Sequence, residues 1–124
     1  MSRHPTSKIH DKGQYFTSSP LLKQCVCNFV LNSPDRVLEP SVGRGDLVDS
    51  MQTTFGLLDF DMYEIDSNIK LLPCIDAKNV TYGDFLTQNM CYKYKTIIGN
   101  PPYVRTSTGN LYIDFIQRCH GLLE

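Results

Sequence analysis

The sequence predicts an α/β fold in which helices flank a parallel sheet. Two observations lead there. Short, β-rich apolar runs at 36–39, 60–65, 80–82 and 94–98 alternate with stretches whose apolar residues repeat at helical spacing. Each run also ends on polar or glycine-containing residues: Glu39-Pro40-Ser41, Glu64-Ile65-Asp66, Gly83-Asp84-Phe85 and Asn100-Pro101-Pro102-Tyr103. In a parallel sheet those four ends share one edge, the edge beyond which such sheets bind ligands.

Each element has its own signal. Residues 1–12 are polar and expected to be loose, leaving 13–124 as the folded part. After the aromatic stretch Gly13-Gln14-Tyr15-Phe16-Thr17, Ser19 is a helix N-cap with Pro20 at the first helical position. Leu21, Leu22, Cys25, Val26, Phe29 and Val30 then form one apolar stripe, ended by Asn32-Ser33-Pro34. Arg36-Val37-Leu38-Glu39 is a short buried strand closed by Pro40. A tight loop at 41–45 leads into a helix that carries Leu47, Val48, Met51 and Phe55 and stops near Gly56. Residues 60–65 make the second strand, 67–74 a short helix cut by Pro73, 80–82 the third strand and 94–98 the fourth. Leu111, Phe115, Ile116, Cys119 and Leu122 or Leu123 share one side of a last helix.

Size and composition narrow the function. At 124 residues, 41% of them hydrophobic, the chain is one domain at most. A net charge of −1 argues against the broad footprint of a self-sufficient nucleic-acid binder, while leaving room for a groove lined by a few cations. Cys25, Cys27, Cys74, Cys91 and Cys119 contain no C-x-x-C pair, and His4, His10 and His120 are scattered, so no metal site is expected. An odd cysteine count with no signal peptide points to reduced thiols in an intracellular, cytoplasmic compartment. No run approaches membrane-spanning length.

The strand ends carry the chemistry. In "LEPSVGRGDLV", Gly43 and Gly45 let the backbone turn sharply and approach a ligand. Val48 stands where a dinucleotide fingerprint needs its third glycine, and Glu39 would repel a pyrophosphate but accept from an amino group. A turn with no ligand is the competing reading. Glu64 sits one βαβ step further on, where a carboxylate can accept from ribose hydroxyls or simply be solvated. Asp66 can cap the helix that follows. Asp84 can accept from an adenine amine and Phe85 offers a stacking face, though "GDF" also suits a plain turn. "NPPY" is the most demanding of the four. The Asn100 carboxamide oxygen and a proline carbonyl can accept from one –NH₂ group, while Tyr103 stacks on the ring that carries it.

Taken together, "GQYFTS", "LEPSVGRGDLV", "YEID", "GDF" and "NPPYVR" resemble, in order and spacing from Gly13 onward, the motifs of N6-adenine DNA methyltransferases whose cofactor motifs precede the catalytic one. The resemblance implies a Rossmann-like, S-adenosylmethionine-dependent methyltransferase fold. It assigns Phe16, Thr17, Glu39, Pro40, Gly43, Glu64, Ile65, Asp84 and Phe85 to S-adenosylmethionine. Asn100, Pro101, Pro102 and Tyr103 would hold a flipped adenine of DNA for direct methyl transfer, with no covalent intermediate. Arg44 stands between the glycines where a small, polar or acidic residue is more usual, and its side chain can point to solvent.

Family members continue with three further strands, a second wall for the adenine pocket and a target-recognition domain. The resemblance therefore implies a partial fold, the amino-terminal part of the catalytic domain with its carboxyl-terminal strands missing. The chain would be a fragment or one part of a split enzyme, with a second chain supplying the missing strands. Enzymes that methylate a protein glutamine or a ribosomal RNA guanine share N-P-P-[YF], and a non-catalytic module that binds cofactor or partner is the alternative outside enzymes.

Overall fold

The computed structural model describes residues 16–30, 36–56, 58–107 and 109–124. The expectations for residues 1–15 and for Asn32-Ser33-Pro34 lie outside them. Helix α1 (Pro20–Asn28) starts as its sequence requires, with Ser19 Oγ accepting the Leu22 N–H at 3.3 Å and Pro20 in the first turn. Strand β1 (Arg36–Glu39) leads through a tight loop into helix α2 (Asp46–Phe55). Strands β2 (Asp59–Glu64), β3 (Val80–Tyr82) and β4 (Thr96–Ile97) complete a parallel sheet of order β3-β2-β1-β4. A hairpin, β5 (Arg105–Thr106) with β6 (Gly109–Asn110), follows and runs into helix α3 (Leu111–Leu122).

Alternation along β1 sets the layers. Val37 faces a cluster with Cys27, Leu47, Met51 and Ile98, whereas Leu38 faces Phe85, Tyr94 and Phe115. Helices α1 and α2 thus cover one face and α3 the other, which is why β1 is buried at every position after Arg36. A further cluster of Val42, Val48, Met62, Ile75 and Val80 fills the space between the loop after β1 and the β2–β3 connection. Gly45 belongs to that packing: its φ is +98° and a Cβ there would fall 2.3 Å from Ile75 Cγ1.

Several boundaries differ from the sequence expectation. β2 runs one residue earlier than 60–65, so Ile65 lies past its end and is exposed. No helix forms at 67–74. There Asp66 Oδ1 takes the Asn68 N–H at 3.0 Å and Asp66 O the Ile69 N–H at 3.3 Å, making one capped turn before Pro73. β4 is shorter than 94–98 because the backbone of Tyr94 pairs elsewhere: it accepts the Glu124 N–H at 2.9 Å and donates to Leu122 O at 2.8 Å, a parallel bridge to Leu123. The hairpin after "NPPYV" was not foreseen.

The stripe on α1 is also corrected. Its buried residue is Cys27, with Val26 and Val30 packed beside it, while Leu21, Leu22, Cys25 and Phe29 are exposed and the helix closes at Asn28. On α3, Phe115 is buried but Ile116 is exposed. Leu38→Ala should therefore cost about 2–5 kcal/mol in urea denaturation. Phe29→Ser should change stability by less than about 0.5 kcal/mol. Comparable losses would overturn this assignment of inside and outside.

Candidate functional site

The order β3-β2-β1-β4 sends the chain outward on one side of β1 and returns it on the other, which makes a switch point between β1 and β4. A cavity of about 590 Å³ opens along the carboxyl edge of the strands, within the size range of small-molecule sites. All four strand ends contribute to its wall. Pro40 and Gly43 come from β1, Glu64 and Ile65 from β2, Asp84 and Phe85 from β3, and Asn100 and Pro102 from β4. Phe16 closes it from the segment before α1.

Each polar side chain is held by the local fold. Glu64, 7% exposed, accepts the Gly43 N–H on Oε1 at 2.8 Å and the Asp66 N–H on Oε2 at 3.1 Å. It thereby ties the β1 loop to the end of β2, and each oxygen retains a second lone pair. Asp84 caps a 3₁₀ turn (Phe85–Thr87), its Oδ1 accepting the Leu86 N–H at 3.0 Å. The two carboxylates could receive ribose hydroxyls and an adenine amine, and the apolar walls could take the rest of an adenosyl group.

The Asn100 carboxamide is oriented by the segment before α1: its Nδ2 donates to Thr17 Oγ1 at 3.2 Å. Its backbone oxygen accepts Ser41 Oγ–H at 3.2 Å. Gly99 permits this approach, since a Cβ there would meet Glu39 Oε1 at 2.9 Å and Pro40 Cδ at 3.2 Å.

Not every expected residue reaches the main cavity. Thr17 and Glu39 stand one layer back. With Asn100 they border a cleft of about 20 Å³, space for about one water. Pro101 is not on the main wall, nor is Tyr103, which is half exposed and leans on Tyr112 with ring centroids 5.3 Å apart. Phe85 is 2% exposed and packs on Tyr63 and Phe115 as part of the floor. Sequence reasoning missed Val104, Leu111 and Phe115 as lining residues. The apolar spacing of the last helix marked Leu111 and Phe115, but only as core.

Burial dominates the electrostatics. Glu39 is 2% exposed, and loss of solvent raises its pKa to about 8, against the lowering effect of the Ser41 N–H bond to Oε1 at 2.8 Å; the charge of Glu64 raises it further. Its carboxyl is therefore neutral at pH 7. The folded state holds a proton that the unfolded chain releases above pH 4.5, so stability declines between pH 4.5 and about 8. The slope should approach about 1.4 kcal/mol per pH unit within that window. Urea denaturation of the wild type and Glu39→Gln at pH 5.5, 7 and 8.5 measures it. The substitution should flatten the slope; equal slopes would mean that Glu39 does not hold the proton.

No protein-family model matches the chain. Curated relatives do. The type II methyltransferase M.HincII of Haemophilus influenzae is 36% identical over 99 residues, covering 80% of this chain and 18% of that protein. M.HindII of Haemophilus influenzae matches to the same extent. The type II methyltransferase M.CvrRI of Paramecium bursaria Chlorella virus XZ-6E is 30% identical over 89 residues, 71% of this chain and 24% of its own. The chain spans about a fifth of the length of these relatives. Over most of its length, and with a parallel sheet and flanking helices, the chain is thus similar to a part of the type II methyltransferases.

Proposed function

We propose that the cavity holds S-adenosylmethionine and that the Asn100-Pro101-Pro102-Tyr103 segment presents to it the exocyclic amino group of an adenine in DNA. The observation that supports this most is the shared wall: Glu64, Asp84, Asn100 and Pro102, from three different strand ends, border one space large enough for the cofactor.

On this reading Glu64 accepts from the ribose, Asp84 from the adenine amine of the cofactor, and Phe16, Ile65 and Phe85 supply apolar wall. The cofactor, when bound, supplies an electrophilic methyl group on a sulfonium. The chain supplies orientation. Thr17 accepts from the –NH₂ side of the Asn100 carboxamide, and on this reading the carbonyl oxygen accepts from the incoming amine. With the Pro101 carbonyl it gives two fixed acceptors for one amino group, which draws the nitrogen lone pair out of the ring plane. Tyr103, half exposed beside Tyr112, would on this reading take the face of a flipped base. The net charge of −1 supports a reading in which target recognition falls to other polypeptide. The outer edge of β4 is where a further segment or a second chain would add a strand, in the direction that the parallel Tyr94–Leu123 bridge begins.

Calorimetry with S-adenosylmethionine followed by a transfer assay on unmethylated duplex DNA tests this. Glu64→Ala should weaken cofactor binding by about 10–100-fold, the loss expected for hydrogen bonds to a charged group. Asn100→Ala should leave affinity within about threefold and lower transfer by about 100-fold or more. Equal loss of affinity and transfer in Asn100→Ala would refute its assignment to the substrate. Absence of cofactor binding by the wild-type chain would sink the whole reading.

A further inference from the structure

We propose that Arg44 is a positioning residue for the cavity, its guanidinium clamping the Phe16 ring against the loop after β1 and so building one wall. This rests on the cofactor reading above and deepens it.

The Arg44 side chain is partly exposed, but its guanidinium turns back onto the loop. Nε donates to Asp46 Oδ2 at 3.2 Å, and Nη2 donates to Oδ1 and Oδ2, each at 3.1 Å. Asp46 is only 6% exposed, so the guanidinium is gripped by a carboxylate rooted in the first turn of α2. The guanidinium then lies over the Phe16 ring, 4.9 Å from its centroid. The same ring lies over the loop at Gly43, where a Cβ would stand 3.4 Å from Phe16 Cδ1.

The roles divide cleanly. Phe16 borders both the main cavity and the small cleft, and Arg44 borders neither. On the main cavity Arg44 therefore acts through Phe16, whereas Asp46, which it grips, borders only the small cleft. Phe16 and Thr17 lie in no helix or strand, and ties to the strand ends must hold them in place. The Asn100–Thr17 bond and the Arg44–Phe16 contact are two such ties. Lysine would keep the charge but lose both the fork to Asp46 and the flat face over the ring.

The test is calorimetric titration of the 124-residue chain with S-adenosylhomocysteine. Arg44→Ala and Phe16→Leu should each weaken binding about tenfold, and Arg44→Lys about threefold. In a Phe16→Leu background Arg44→Lys should add nothing. Arg44→Ala leaves Asp46 buried without its partner, so Arg44→Lys carries the test if the alanine chain does not fold. Unchanged affinity in Arg44→Lys, or effects that multiply in the double variant, would overturn the proposal. A second readout needs no ligand: the Arg44 Nε–H resonance should carry a ring-current shift that Phe16→Leu removes. No change in that resonance refutes the clamp. A shifted resonance in a wild-type chain that binds no cofactor overturns the cofactor reading, and the proposed wall with it, while the contact itself stands.

Discussion

Everything at the carboxyl edge of the sheet depends on the contact between the ends of β1 and β4. The Glu39 side chain is packed against Gly99 so closely that any Cβ at position 99 would meet its Oε1. Ser41 holds both sides of that contact, giving its N–H to Glu39 and its hydroxyl to the Asn100 carbonyl. A larger residue at 99 would force the two strand ends apart and carry Asn100 away from Ser41 and from Thr17. The demand at this junction explains why a glycine precedes the Asn-Pro-Pro run and why a serine follows Glu-Pro.

That contact also determines the charge of the site. A carboxylate cannot be buried so deeply without a large desolvation penalty, and a single backbone N–H does not offset it. Glu39 is therefore held as a neutral acid at pH 7, close to a second carboxyl, Glu64, that takes backbone N–H groups on both oxygens. Asp46, a third acidic group beside the same loop, is occupied by Arg44. Three acidic residues clustered in and around the loop thus have three separate duties: a buried acid at the strand junction, an acceptor on the cavity wall, and an anchor for a guanidinium.

Much of the architecture is legible in the residues, and the misses are instructive. β1, α2 and β3 lie where apolar runs and their glycine or proline stops put them, because local preference and burial agree there. On α1 the spacing was helical but the wrong flank was assigned to the core: Leu21, Leu22 and Phe29 are larger and more apolar than Cys27, yet Cys27 faces Met51 and Val37. Apolar periodicity detects a helix without saying which sector meets a sheet. Residues 67–74 failed for another reason, since the Asp66 side chain offers the backbone a turn that competes with the first turn of a helix. The apolar run puts Tyr94 in β4, but its backbone partners are Leu122 and Glu124, at and just past the end of α3, a pairing that no local pattern encodes.

The site divides along the same line. The sequence by itself determined which residue types stand at each strand end, because Glu39, Glu64, Asp84 and Asn100 lie at or just past the ends of the runs that form β1 to β4 and a parallel sheet must deliver them to one edge. Only the tertiary structure decided their depth and partners: Glu39 and Thr17 behind the cavity, Glu64 and Asp84 on its wall, Tyr103 half exposed against Tyr112 and Arg44 on Phe16. Order along a strand is a local, one-dimensional property, whereas desolvation and the geometry of hydrogen bonds depend on segments that meet only when the chain has packed.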